Sequence, residues 1–325
     1  MNESQAALLG RSRIQKWEPV LWLLALSSPF WLQSHALLIN EIAIVALFAI
    51  SLDLVLGYSG IVSLGHAAFF GMGAYTAALF AKLVMPDPLV GLVVAVLVSV
   101  LLGAACSLTI LRGSDLTRLM VTLGVALILL ELANKLDWLT GGADGLQGVV
   151  MGPLLGRFDF DLSGRTAACY SLLVVLALFV LARRLAHSPF GATLMAIRDN
   201  RLRAMAIGIP VARCLSVMYA VAAAVAGAAG ALLAQTTGFA SLDLFALDRS
   251  ADVLLILVIG GTGWLYGGIA GAVVFKLLHD VISSITPQYW TFWIGLFLVV
   301  LMLVGRETLL RPWTWKAKWA ARSRA

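Results

Sequence analysis

Long apolar runs separated by short polar or glycine-rich breaks dominate this sequence, a pattern that calls for lipid rather than a soluble core as the solvent. Runs near 19–36, 41–57, 65–84, 88–110, 115–134, 166–186, 213–235, 250–263, 266–284 and 289–305 predict ten transmembrane helices. The second and third are parted only by Gly57-Tyr58-Ser59-Gly60 and a polar turn, and the eighth and ninth only by Gly260-Gly261-Thr262-Gly263. Either pair is a place for a broken or re-entrant element, tolerated in a membrane only against protein or a wet cavity.

Basic residues sort by side. With the N-terminus in the cytoplasm, 17 of the 23 lysines and arginines fall on cytoplasmic segments. These are Arg11, Arg13 and Lys16, then Arg112 and Arg118, then Arg183, Arg184, Arg198, Arg201, Arg203 and Arg213, and finally Arg306, Arg311, Lys316, Lys318, Arg322 and Arg324. The positive-inside rule therefore predicts a basic tail over 1–18, a single membrane domain over 19–305 and a basic tail over 306–325, both tails cytoplasmic. The expected location is a bacterial inner (plasma) membrane. The first apolar run, preceded by basic residues and followed by Ser34-His35-Ala36, resembles a signal peptide, but an even number of spans favours an uncleaved helix.

Composition agrees: 61% of the 325 residues are hydrophobic, 12% are charged, and the mean hydropathy is +0.95. Soluble domains carry about a quarter charged residues. The net charge of +6 is explained by the cytoplasmic ends, not by nucleic acid. Cys106, Cys169 and Cys214 have no paired spacing and read as packing residues, so no metal is expected. No Gly-x-x-x-x-Gly-Lys loop, no His-Glu-x-x-His and no nucleophile elbow occurs. The chain is therefore expected not to be an enzyme, and any ATP and Mg to be bound by another subunit.

Three constellations remain. The polar stretch from His187 to Arg213 predicts a helix over 188–208, capped by Ser188 before Pro189 and stopped by Gly208 and Pro210. Its residues Phe190, Gly191, Arg198, Asp199, Asn200, Arg201, Arg203 and Gly208 suit either an interfacial helix on anionic headgroups or a knob docked in a cytoplasmic protein. The second constellation packs five glycines into seventeen residues and includes Gly65, Gly71 and Gly73 as packing sites. Gly263, Gly267 and Gly271 repeat that logic at four-residue spacing. The third is a set of polar groups inside spans: Asp53, Ser63, His66 and Glu131 are candidates to line a translocation pathway. Glu131 and Lys135 are also spaced for a helical ion pair, and a lone His66 is equally a packing residue.

The run ISLDLVLGYSGIVSLGHAAFFGMGAYTAAL closely resembles permease subunits of ABC importers for branched-chain amino acids, the M-type member of that pair. LMVTLGVALILLELANKLDWLTGGADGL, SPFGATLMAIRDNRLRAMAIGI and LLILVIGGTGWLYGGIAGAVV resemble the same family in the same order, from about Asn40 to Arg306. The resemblance implies an all-helical permease, similar to the ten-helix permeases of the vitamin B12 importer, with the ATPase-coupling helix between spans six and seven. It also implies a second related permease, two cytoplasmic ATPase subunits and an extracytoplasmic substrate-binding protein. Urea, short amides and aromatic carboxylates are carried by related permeases. An ion-driven secondary transporter is the rival class.

Overall fold

The structure, a computed structural model, describes residues 17–304 apart from 111, 112, 114 and 162. Residues 1–16 of the tail expected over 1–18, the tail expected over 306–325, and Arg112 lie outside the described residues. The helices are α1 (Trp17–Trp31), α2 (Ala36–Asp53), α3 (Ala67–Leu83), α4 (Pro88–Ile110), α5 (Asp115–Lys135), α6 (Arg165–Ala186), α7 (Pro189–Asp199), α8 (Arg201–Ala206), α9 (Val211–Thr237), α10 (Leu247–Gly260), α11 (Leu265–Ile285) and α12 (Trp290–Val304). Among the described residues there is no strand, only the isolated bridges Leu146–Ala240 and Leu154–Phe158.

Six of these helices (α2, α4, α5, α6, α9 and α11) are long and apolar enough to cross a membrane. The chain is thus an all-helical, multi-pass membrane protein. Helix α3 is apolar but shorter, while α1, α10 and α12 have 15, 14 and 15 residues.

The core is built around α9, which packs on α4, α3 and α2. Its sequence explains why: alanines and glycines fill its buried face, so backbones can approach closely. A Cβ on Gly73 of α3 would stand 2.1 Å from the Gly227 carbonyl oxygen, and one on Gly230 would stand 1.8 Å from that of Phe70. A Cβ on Gly227 would stand 2.0 Å from the Ser99 hydroxyl of α4. Nothing larger fits.

At one end of the bundle, α1 is tied to α6 by an Arg183–Glu18 ion pair. The opposite end carries the loops. There Leu146 and Ala240 exchange backbone hydrogen bonds of 2.8 and 3.2 Å, joining the 136–164 loop to the turn after α9. Beneath it lies a buried polar layer. Ser171 donates to Asn40 (2.6 Å), Asn40 to Thr236 (3.0 Å), Tyr170 to Gln235 (3.0 Å), and Gln235 to the Pro88 carbonyl (2.7 Å).

The single helix expected over 188–208 is two. Ser188 caps α7 as its sequence position implies, its hydroxyl accepting from the Gly191 amide at 3.4 Å. At Asn200 the backbone becomes extended (φ −158°, ψ 100°), and its side-chain oxygen accepts from the Arg203 amide at 2.9 Å to start α8. Asparagine competes with the helix for backbone groups and caps a new one better than it continues the old. Gly208 then ends α8 with φ +86°.

Candidate functional site

The segment between α6 and α9 does not merely sit beside the bundle; it reaches into it. Arg198, in the last turn of α7, donates from Nη1 to the carbonyl oxygen of Gly57. Gly57 belongs to a π-helical turn, Leu54–Tyr58, that finishes α2. Such widened turns free backbone carbonyls for other partners. The aliphatic stem of Arg198 crosses Gly60, where a Cβ would lie 2.7 Å from Cγ and the backbone has φ +71°.

On the far side of Gly57 stands the turn between α10 and α11. Asp53 Oδ1 accepts from the Gly263 amide at 2.7 Å. A Cβ at Gly57 would fall 2.2 Å from Asp53 Oδ1 and 2.4 Å from the Gly263 nitrogen, so glycine is the residue this crossing tolerates. Gly263 itself has φ +78°. Asp53 is wholly buried, its other oxygen has no hydrogen-bond partner among the described residues, and it lies within electrostatic reach of Arg198. One junction therefore links α7, the end of α2 and the α10–α11 turn.

From this junction residues 60–66 run without helix back into the bundle before α3 begins. The amides left orphaned are met by side chains, as an apolar surrounding requires. The Leu64 amide donates to Thr122 (3.3 Å) and the Ala67 amide to Ser250 (3.0 Å). Ser63 pairs with the Tyr219 hydroxyl at 3.3 Å. His66 is wholly buried, its Nε2 2.9 Å from Ser51 Oγ and its ring stacked on Phe48. A Cβ on Gly65 would meet the Thr122 carbonyl at 1.8 Å, and one on Gly71 the Phe245 ring at 2.6 Å.

The other sequence candidates lie apart. Glu131 faces Lys135 at 3.8 Å, both more than half exposed, and takes no part in the contacts of Asp53, Ser63 or His66 given above. Gly267 and Gly271 close the α10–α11 hairpin, with a Cβ at each only 2.3 and 2.1 Å from the carbonyls of Gly261 and Ile256. Among the described residues no three His, Cys, Asp or Glu side chains are grouped to hold a metal ion.

Arg198 and Asp199 pair at 3.9 Å. Arg198 bends inward, while Asp199 stays 75% exposed. The sequence marks Met205 and Ile207 as apolar members of this segment; the structure adds Leu202 (76% exposed) beside Met205 (46%) and Ile207 (70%) on the exposed apolar side of α7–α8. The signal was there, since leucine and isoleucine spaced among arginines on a non-spanning helix need a partner surface. Sequence reasoning missed Glu41–Lys276, paired at 2.8 Å between α2 and α11.

The family profile for "Branched-chain amino acid transport system / permease component" covers residues 35–304. The chain is 29% identical, over 90% of its own length and 74% of the relative's, to the high-affinity branched-chain amino acid transport system permease protein LivM of Salmonella typhimurium. The LivM of Escherichia coli K12 gives the same identity and coverage. More distant similarity, 28% over 47% of the chain and 46% of the relative, extends to the fructose import permease protein FruG of Bifidobacterium longum. No solved structure matches. On the breadth of that match and the helical architecture beneath it, the chain belongs to the family of branched-chain amino acid transport permease components.

Proposed function

We propose that this chain is one permease of an ATP-driven importer for branched-chain or closely related amino acids, spanning the inner membrane ten times with both termini in the cytoplasm. In this reading α7–α8 lies on the cytoplasmic side and docks a separate ATPase, which binds ATP and Mg. A second, related permease completes the pathway, and an extracytoplasmic binding protein delivers substrate to the joined loops around Leu146 and Ala240. The relatives named for branched-chain amino acid transport support the substrate class.

One observation carries the mechanism: the element with the exposed apolar side is the same element whose Arg198 grips the end of α2. An ATPase groove that takes up Leu202, Met205 and Ile207 gains an amphipathic docking contact. When the ATPase closes, α7 moves, and the Arg198–Gly57–Asp53–Gly263 junction passes that displacement to α2 and to the α10–α11 hairpin. Packed elements of this kind switch between arrangements rather than deform continuously. The chain itself performs no covalent chemistry in this role.

The test is Leu202→Asp combined with Ile207→Asp. Both positions are exposed, so the permease should insert and fold, while the ATPase no longer co-purifies. If α7–α8 instead lay on lipid headgroups, the ATPase would remain bound and only dependence on anionic lipid would change. Uptake without any ATPase, abolished by an uncoupler, would instead establish a secondary transporter.

A further inference from the structure

Helix α11 carries a polar stripe through an apolar sequence. Lys276, His279, Asp280 and Ser283 fall at i, i+3, i+4 and i+7, which places them on one side of the helix. Helix α10 repeats the feature with Asp248 and Asp252, also one turn apart, and α2 contributes Glu41. These three helices pack on one another.

Their depths agree. Glu41 and Asp252 each lie five residues from the loop-side end of their helices, about 7 Å at 1.5 Å per residue. Lys276 lies nine residues from the loop-side end of α11, and the close approaches of Gly268 to Ala49 and Ile50 and of Gly271 to Ile256 set it level with Glu41 and Asp252 in these antiparallel helices. The Lys276 ammonium meets Glu41 Oε2 at 2.8 Å. Asp252 is within electrostatic reach of Lys276, His279 and Arg249 and takes no hydrogen bond from any described residue. Lys276 has three donors, of which the bond to Glu41 uses one.

Other charges in the bundle are accounted for differently. Asp53 is sealed and bonded to Gly263, and Glu131–Lys135 sits in the last turns of α5. The Lys276 patch is partly open, Glu41 being 51% exposed, yet it lies within the apolar span of its helices. Ionised groups do not face hydrocarbon there, so water or protein covers them. Lys276, 17% exposed and paired with Glu41, keeps two further donors, and the acids outnumber it, so the patch offers a cationic and an anionic pole side by side. That is complementary to a zwitterion and not to an uncharged solute such as an amide or a sugar.

We infer that Glu41, Asp252 and Lys276 form a substrate station in the outer half of the pathway, where the α-ammonium of an amino acid meets the carboxylates and its α-carboxylate meets Lys276. This rests on the importer reading for its direction and deepens it by naming the groups that recognise the cargo. The hydrophobic side chain of a branched amino acid would lie toward the apolar face of α11, where Val274, Leu277 and Val281 are exposed.

The experiment uses the assembled importer in proteoliposomes, with leucine and with photo-leucine, its diazirine analogue. In Lys276→Met and Asp252→Asn, leucine uptake should fall roughly tenfold or more, the scale of a lost charge-assisted contact. Permease pairing and ATPase stimulation by loaded binding protein should persist. Irradiated photo-leucine should label the peptide around Lys276 in the wild type, be displaced by excess leucine, and fail to label Lys276→Met. Full uptake in both variants overturns the station, as does labelling confined to other helices. Loss of the second permease from the purified variants also overturns it, making the patch an ionic seam between subunits. A wild type that labels at Lys276 but imports nothing with ATP counts against the importer reading alone.

Discussion

Asp53 and Gly263, 210 residues apart in sequence, are joined by a 2.7 Å hydrogen bond that fixes the end of α2 against the α10–α11 turn. Asp53→Ala would leave the half-buried Gly263 amide without this partner, an effect of about 1–3 kcal/mol. The variant should lose thermal stability in detergent, read as earlier loss of monodispersity on heating. Asp53→Asn keeps an acceptor oxygen and should lose less. Equal stability of Ala and wild type would show that the turn holds without this bond.

Arg198 is the second half of that junction. Arg198→Met keeps the stem over Gly60 but removes the donor to Gly57. ATPase should still co-purify, because Leu202 and Ile207 are untouched. Stimulation of hydrolysis by loaded binding protein should drop, with a coupling loss of about 1–3 kcal/mol. Loss of the ATPase itself would place Arg198 in the docking contact instead.

Some glycines press on a neighbour and others, Gly124 among them, do not. Gly73→Ala puts a methyl 2.1 Å from the Gly227 carbonyl and Gly65→Ala one 1.8 Å from that of Thr122. Each should lower the yield of folded protein, since overpacking costs about 1–3 kcal/mol. Gly124→Ala meets nothing within 4 Å and should be neutral or slightly stabilising. Measuring all three by size-exclusion chromatography of a fluorescent fusion ranks them directly.

Where the 136–164 loop and the turn after α9 are paired, Gly145 sits at φ +71° with the Ala240 carbonyl 2.7 Å from where its Cβ would be. Gly145→Val should part the loops. Membrane insertion should survive, and stimulation by the binding protein should fall while basal ATP hydrolysis stays. Unchanged stimulation would remove these loops from the docking surface.

Orientation is open to direct labelling. In a cysteine-free background, Asp144→Cys and Asp243→Cys should react with an impermeant maleimide in cells with a permeabilised outer membrane. Leu202→Cys should react only after lysis. The reverse pattern would invert the topology.

Much of this architecture was legible in the sequence because it is local. Apolar runs set the helices, and Ser188-Pro189 set the start of α7 through a cap made within three residues. Glu131–Lys135 was equally local, an i, i+4 pair that forms at 3.8 Å. What escaped was decided by a distant partner. Asp53 lacks a cation nearby in sequence, yet Arg198 lies 145 positions on and reaches it through Gly57. His66 was open between packing and pathway until Ser51 and Phe48 were seen around it. The break at Asn200 is local yet also escaped, because its capping strength outweighs the continuity of the helical pattern.

The glycine crossings have a mechanical consequence. Gly73 against Gly227, Gly230 against Phe70 and Gly227 against Ser99 bring α3, α4 and α9 together at backbone distance, with no side-chain cushion to slide over. Three rods welded that way behave as a plate. A push delivered at Val211 would tilt the plate whole, and the bending would be taken up at its hems, at Gly208 and Gly238, whose left-handed backbones already turn the chain. The opening of such a gate would be set by how far a plate can rock, not by how far a helix can flex.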